Sequence, residues 1–111
     1  MYLQVKTYIQ VVTTTATRED AEKIALALLE KRLAACVQIV GPVASAYRWK
    51  GNVERAEEWQ CLIKSREDLF GKLEEAVKAV HPYETPEIIA TAISAGSDDY
   101  LKWLHDELTA S

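Results

Sequence analysis

The chain has 111 residues, 49% of them hydrophobic and 27% charged, the balance of one soluble globular domain spanning residues 1–111. Thirteen Lys and Arg stand against 17 Asp and Glu, a net charge of -4, and the two signs are interleaved along the chain. That pattern excludes the clustered basic surface used for nucleic acid or anionic lipid. No apolar run approaches the ~20 residues of a membrane-spanning helix. The first residues lack a charged segment followed by a long apolar one, so a cytoplasmic protein is expected.

Residues Val5 to Thr14 are rich in β-branched and aromatic types and read as a strand. Thr17 follows as a helix cap with Asp20 three residues on. Ala21, Ile24, Ala25, Leu28 and Leu29 then recur on one helical face. Ala35 to Trp49 is a second extended segment, interrupted at Gly41-Pro42, where a bulge or an edge position is expected. A Gly51-Asn52 turn returns the chain through Val53 to Lys64 as a hairpin. Ser65 is placed to cap a second helix with the face Leu69, Leu73, Ala76, Val77 and Val80, which ends at His81-Pro82. Ile88 to Ser94 reads as the last strand, and Ser97-Asp98-Asp99 opens a C-terminal helix.

The order β-α-β-β-α-β-α defines an α+β, ferredoxin-like sandwich with an extra C-terminal helix and a long central hairpin. At ~3.3 Å per residue, the 15 residues from Ala35 to Trp49 span roughly 50 Å. A compact chain of this size is only about 35 Å across. The hairpin therefore either overhangs its own core, carrying Tyr47, Trp49, Val53 and Trp59, or folds back at Gly41-Pro42. An overhang would expose apolar side chains and an unpaired strand edge, which pairing with a second copy of the chain removes.

The segment His81 to Glu87 packs an imidazole, a phenol and two carboxylates between prolines, a favourable place for binding groups. On the hairpin, a Gly51-Asn52 turn sets Trp49 opposite Glu54, Tyr47 opposite Ala56 and Arg48 opposite Arg55, with Glu58 further along the same face. Aromatic rings beside a carboxylate suit a cation or a small amphipathic ligand, and equally suit an interface. The two Cys, Cys36 and Cys61, lie apart in strand-like runs, too few for a disulfide scaffold. With His81 and His105 they make no paired zinc motif; a site could be assembled across subunits from His81, a carboxylate and a thiol, and copper suits such donors. The glycines are scattered and no nucleophile elbow is present, so neither a nucleotide or organic cofactor nor an enzymatic activity is expected.

Taken together, Arg32 to Val37, Tyr47 to Gly51, Glu58, Lys64, His81-Pro82-Tyr83, Pro86-Glu87, Tyr100-Leu101 and Trp103 resemble the CutA family of divalent-cation tolerance proteins. The resemblance implies a PII-like homotrimer joined through the long hairpins, a response to metal ions, and copper or another divalent cation as ligand. Carried over by position, it implies an inter-subunit cleft drawing on Tyr47, Trp49, Glu58 and Lys64, with Tyr83, Glu87 and Trp103. His81 and, more remotely, Cys36 are the metal candidates. Some members place a Cys where this chain has Thr13 or a neighbouring Thr, and a second His where it has Val80, which points to weak copper binding. The competing expectation is a PII-like sensor that holds a small anionic metabolite in the cleft, with Lys64 supplying the positive charge.

Overall fold

A computed structural model describes residues 7–110. The alternation of Ile9, Val11, Thr13 and Thr15 sends one side of strand β1 (Tyr8–Thr15) into the core; Val5 and Lys6 of the expected strand lie outside the described residues. The Thr17 hydroxyl accepts from the Asp20 N–H at 3.1 Å and starts α1 (Arg18–Glu30). β2 (Cys36–Trp49) and β3 (Asn52–Arg66) form the hairpin, and a single 3-10 turn at Glu67–Leu69 leads into α2 (Phe70–Val80). β4 (Ile89–Ile93) and α3 (Asp98–Glu107) complete the chain, with Ser97 capping α3.

All neighbouring strands are antiparallel, in the order β2-β3-β1-β4. β3 therefore lies between the two strands that α1 connects, which makes the β-α-β unit a split one. Across β1 and β3 the pairs Val11–Ile63 and Thr13–Cys61 face the core, where Ile24, Leu28, Leu73, Val77 and Leu104 meet them from the helices. No helix among the described residues is long and apolar enough to cross a membrane.

Three local expectations are corrected. Ser65 does not cap α2: it lies in β3, fully buried, and its hydroxyl donates to the Leu33 carbonyl at 2.7 Å. β3 simply runs further than the hairpin required, and the 3-10 turn begins α2 without a side-chain cap. Leu29 and Val80 are exposed, because the sheet beneath α1 and α2 covers only the narrower stripes Ala21-Ile24-Leu28 and Leu73-Ala76-Val77. The turn is Lys50-Gly51 rather than Gly51-Asn52, with positive φ at both residues (50° and 84°), the handedness that a two-residue hairpin loop demands.

The hairpin does overhang. β1 ends at Thr15, opposite Trp59, and from Val43 and Glu58 outward β2 and β3 continue as a two-stranded ribbon. The molecule measures 55 × 25 × 22 Å. Tyr47, Trp49 and Val53 are exposed on the ribbon, but Trp59 is not part of it. Its ring packs against the core, under the Arg18 guanidinium (5.8 Å) and against Gly41.

α3 is fastened by arginines. Arg32 donates to the Asp106 and Glu107 carbonyls, each at 2.9 Å, and the Thr109 N–H donates to the Arg32 carbonyl at 2.9 Å. The nearly buried Arg66 donates to the Thr109 carbonyl at 2.9 Å and pairs with Asp68 at 2.6 Å.

Two substitutions probe this packing. Among the described residues, the Thr13 hydroxyl is the one buried side-chain polar atom without a hydrogen-bond partner. Thr13→Val keeps the shape and removes that desolvated group, so denaturant unfolding is expected to show a gain of about 1 kcal/mol. A Cβ at Gly41 would sit 2.6 Å from the Trp59 ring. Gly41→Ala is expected to cost about 1–3 kcal/mol in the same measurement, as overpacking does.

Candidate functional site

The irregularity at Gly41-Pro42 sets which side chains meet. Before it Val40 pairs with Gln60, and after it Val43 pairs with Glu58, so β2 carries one residue more than β3 between the two pairs. A one-residue offset exchanges the faces of a strand. Tyr47 and Trp49 consequently share a face with Glu54 and Glu58, pairing as Tyr47–Glu54 and Trp49–Asn52. The expected faces are right and the partners are displaced, because the turn lies one residue earlier. Arg48 thus pairs with Val53 and Arg55 with Ala46, and the two guanidinium groups are not opposed.

The segment after α2 closes the other side. Pro82 holds His81 extended (φ -79°, ψ 131°) as α2 ends. His81 Nε2 donates to the Thr14 carbonyl at 2.8 Å, and its Nδ1 accepts from the Tyr83 N–H at 3.1 Å. Because a carbonyl only accepts and an N–H only donates, these bonds define the neutral tautomer with the proton on Nε2. The His81 and Tyr83 rings lie 4.8 Å apart, and the Tyr83 hydroxyl donates to Glu58 Oε2 at 2.7 Å. Glu58 is only 7% exposed. Burial, then the hydrogen bond to Glu58 and the negative charge of Glu58, with Tyr47 and Asp20 adding to it, push the Tyr83 phenol well above its usual value.

Ribbon and segment line an open-sided cavity of about 810 Å³. Of the expected site residues it brings together Tyr47, Trp49, Glu58, Tyr83 and Glu87. It adds Thr14, Arg48, Glu54 and Glu84, of which Glu54 was legible from strand alternation as a companion of the aromatic residues. Lys64 and Trp103 are not part of the lining. The Lys64 ammonium donates to Gln38 Oε1 at 3.2 Å, and Trp103 lies on α3 against Tyr100, with ring centroids 5.5 Å apart.

His81 and Cys36 are not brought together either. Cys36 pairs with Lys64 on β3, whereas His81 bonds to Thr14, the partner of Gln60, four residues and roughly 13 Å along the strand. Both His81 ring nitrogens already hold hydrogen bonds, and no group of three or more His, Cys, Asp or Glu among the described residues could hold a metal ion. The described residues of one chain therefore do not fit a resident metal. Cys61 is a core thiol, pushed by burial from 9.0 up to about 11.

A split β-α-β sandwich whose helices pack on one face of the sheet and whose central hairpin outgrows it is a ferredoxin-like fold of the PII-like kind. The family model described as CutA1 divalent ion tolerance protein matches residues 9–107, and the chain belongs to this family. The divalent-cation tolerance protein CutA of Thermus thermophilus is 48% identical over 96 residues, covering 86% of this chain and 93% of that protein. The chloroplastic CutA protein of Arabidopsis thaliana is 44% identical over 86% of this chain, which spans only 53% of that relative's length. The solved structure of the Thermus thermophilus divalent cation tolerance protein (Cut A1) superposes with a TM-score of 0.90 at 45% identity, over 92% of this chain and 99% of that one.

Tyr83→Phe tests the pairing across the cavity. Losing the hydroxyl leaves a buried Glu58 oxygen without its donor, and a stability loss of about 1–3 kcal/mol is expected. Because the folded state holds the phenol neutral, its contribution is complete below about pH 10, where an unfolded tyrosine ionises, and is lost as pH rises further. Denaturant titrations at increasing alkaline pH should therefore decline less steeply for the variant than for the parent.

Proposed function

We propose that the chain is a non-catalytic, cytoplasmic homotrimer that serves divalent-cation tolerance by meeting copper and other divalent ions weakly, as cargo rather than as a resident cofactor. The observation that carries this reading is the charge of the cavity: Glu54, Glu58, Glu84 and Glu87 against Arg48. Such a cleft concentrates cations without chelating them. His81 stands at its edge, and an ion that took a ring nitrogen would first have to displace Thr14 or the Tyr83 N–H, which keeps binding weak. The ribbon, projecting beyond the core with unpaired strand edges and Val53 exposed, supports assembly through the hairpins. The alternative, an anionic metabolite, would meet four carboxylates against the single Arg48, and Lys64 of the same chain lies outside the cavity, bonded to Gln38.

Light scattering is expected to give three times the chain mass. Calorimetric titration with Cu(II) should show weak binding that His81→Ala largely removes. Glu58→Gln combined with Glu87→Gln should weaken it about tenfold, or about 1.4 kcal/mol. A tight stoichiometric site, or heat indifferent to all three substitutions, would count against the reading.

A further inference from the structure

The cavity has the size of an organic molecule rather than an ion. Its volume of about 810 Å³ lies inside the range of roughly 300–1,000 Å³ occupied by small-molecule sites. A bare divalent cation needs several donors converging within ~2.0–2.6 Å, and among the described residues no three His, Cys, Asp or Glu converge in that way. The carboxylates are instead divided between opposite walls: Glu54 and Glu58 on the ribbon, Glu84 and Glu87 on the facing segment. A ligand that satisfies both walls carries more than one positive charge, with a spacer between them.

The spacer has a surface to lie on. Tyr47 and Trp49 add aromatic rings to the ribbon wall, and rings of this kind attract alkylammonium groups. The chain itself gives an instance, the Lys50 ammonium standing 5.6 Å from the Trp49 ring centroid. Glu58 is the fixed point, 7% exposed and held by the Tyr83 hydroxyl at 2.7 Å. An anion meets four glutamates and one arginine, and an uncharged apolar molecule leaves Glu58 buried against carbon, so neither suits the cleft.

We propose that the cleft takes an aliphatic polyamine, its methylenes on Tyr47 and Trp49 and its ammonium groups shared between Glu58 and the carboxylates of the facing segment. This rests on the reading of the cleft as a receiver of cations, and names the class of cation it is built for.

The test is calorimetric titration of spermidine into the assembled full chain at fixed ionic strength, with Cu(II) titrated separately. Saturable binding of one spermidine per chain is expected, weakened but not abolished by magnesium chloride at equal positive charge. Glu58→Gln retains an acceptor for Tyr83 and should weaken binding about tenfold, as should Trp49→Leu. Glu84→Gln, on the exposed segment, should weaken it several-fold with the melting temperature unchanged, which separates binding from folding. No saturable heat, or heat that magnesium abolishes and Trp49→Leu leaves intact, overturns the proposal. Copper heat without spermidine heat overturns this inference alone; spermidine heat without copper heat supports it and overturns the metal reading.

Discussion

The pairing of β3 with two different partners is the constraint on which the rest of the molecule depends. Its second half runs along β1 from Trp59 to Arg66, with β2 on its other side from Gln60 to Lys64, and supplies Cys61, Ile63 and Ser65 to the core. Its first half has only β2 beside it and projects beyond the sheet. One continuous strand is thus a central strand at one end and half of a ribbon at the other. The ribbon inherits its direction from a well-packed core, and it needs no core of its own to be held straight. A two-stranded ribbon alone is at best marginally stable in water; here its root is anchored by Trp59, wedged between Gly41 and Arg18.

The cavity follows from that anchoring. Glu58 sits where ribbon and sheet meet, so its carboxylate is drawn out of water at the point where the 82–87 segment crosses. Tyr83 answers it with a hydroxyl, and His81 ties the segment back to the Thr14 carbonyl at the end of β1. Imidazole and phenol are therefore spent on positioning. What remains open to a ligand is an excess of carboxylates and two aromatic side chains on the ribbon. Chemistry that begins from the imidazole as a free donor has to dismantle this arrangement first.

Much of this was readable from residue order because it rests on periodicity. The β-branched run of β1, the helical period and Thr17 cap of α1, the opening of α3 at Ser97 and the overhang of the hairpin are local properties, and the structure has them. The resemblance to the family likewise collected Tyr47, Trp49, Glu58, Tyr83 and Glu87, which do share one cavity. What escaped depends on backbone groups or on a competition between neighbours. The fastening of α3 by Arg32 and Arg66 uses main-chain carbonyls, which carry no signature in side-chain order. The position of the turn was missed because Gly51-Asn52 is the more conventional pair, whereas the ladder places Lys50 at positive φ to keep its register. Lys64 and Trp103 lie outside the cavity of one chain, while the cleft that the resemblance implies for them lies between subunits.

The extra residue of β2 between Val40 and Val43 has an evolutionary consequence. Losing one residue there would leave a single residue opposite Trp59 and an unbroken ladder, with Val43 still opposite Glu58 and Tyr47 still opposite Glu54. The register of the outer ribbon is held at the Lys50-Gly51 turn, not at the irregularity. β2 can therefore differ by one residue at this point between lineages while the ribbon goes on presenting the same face.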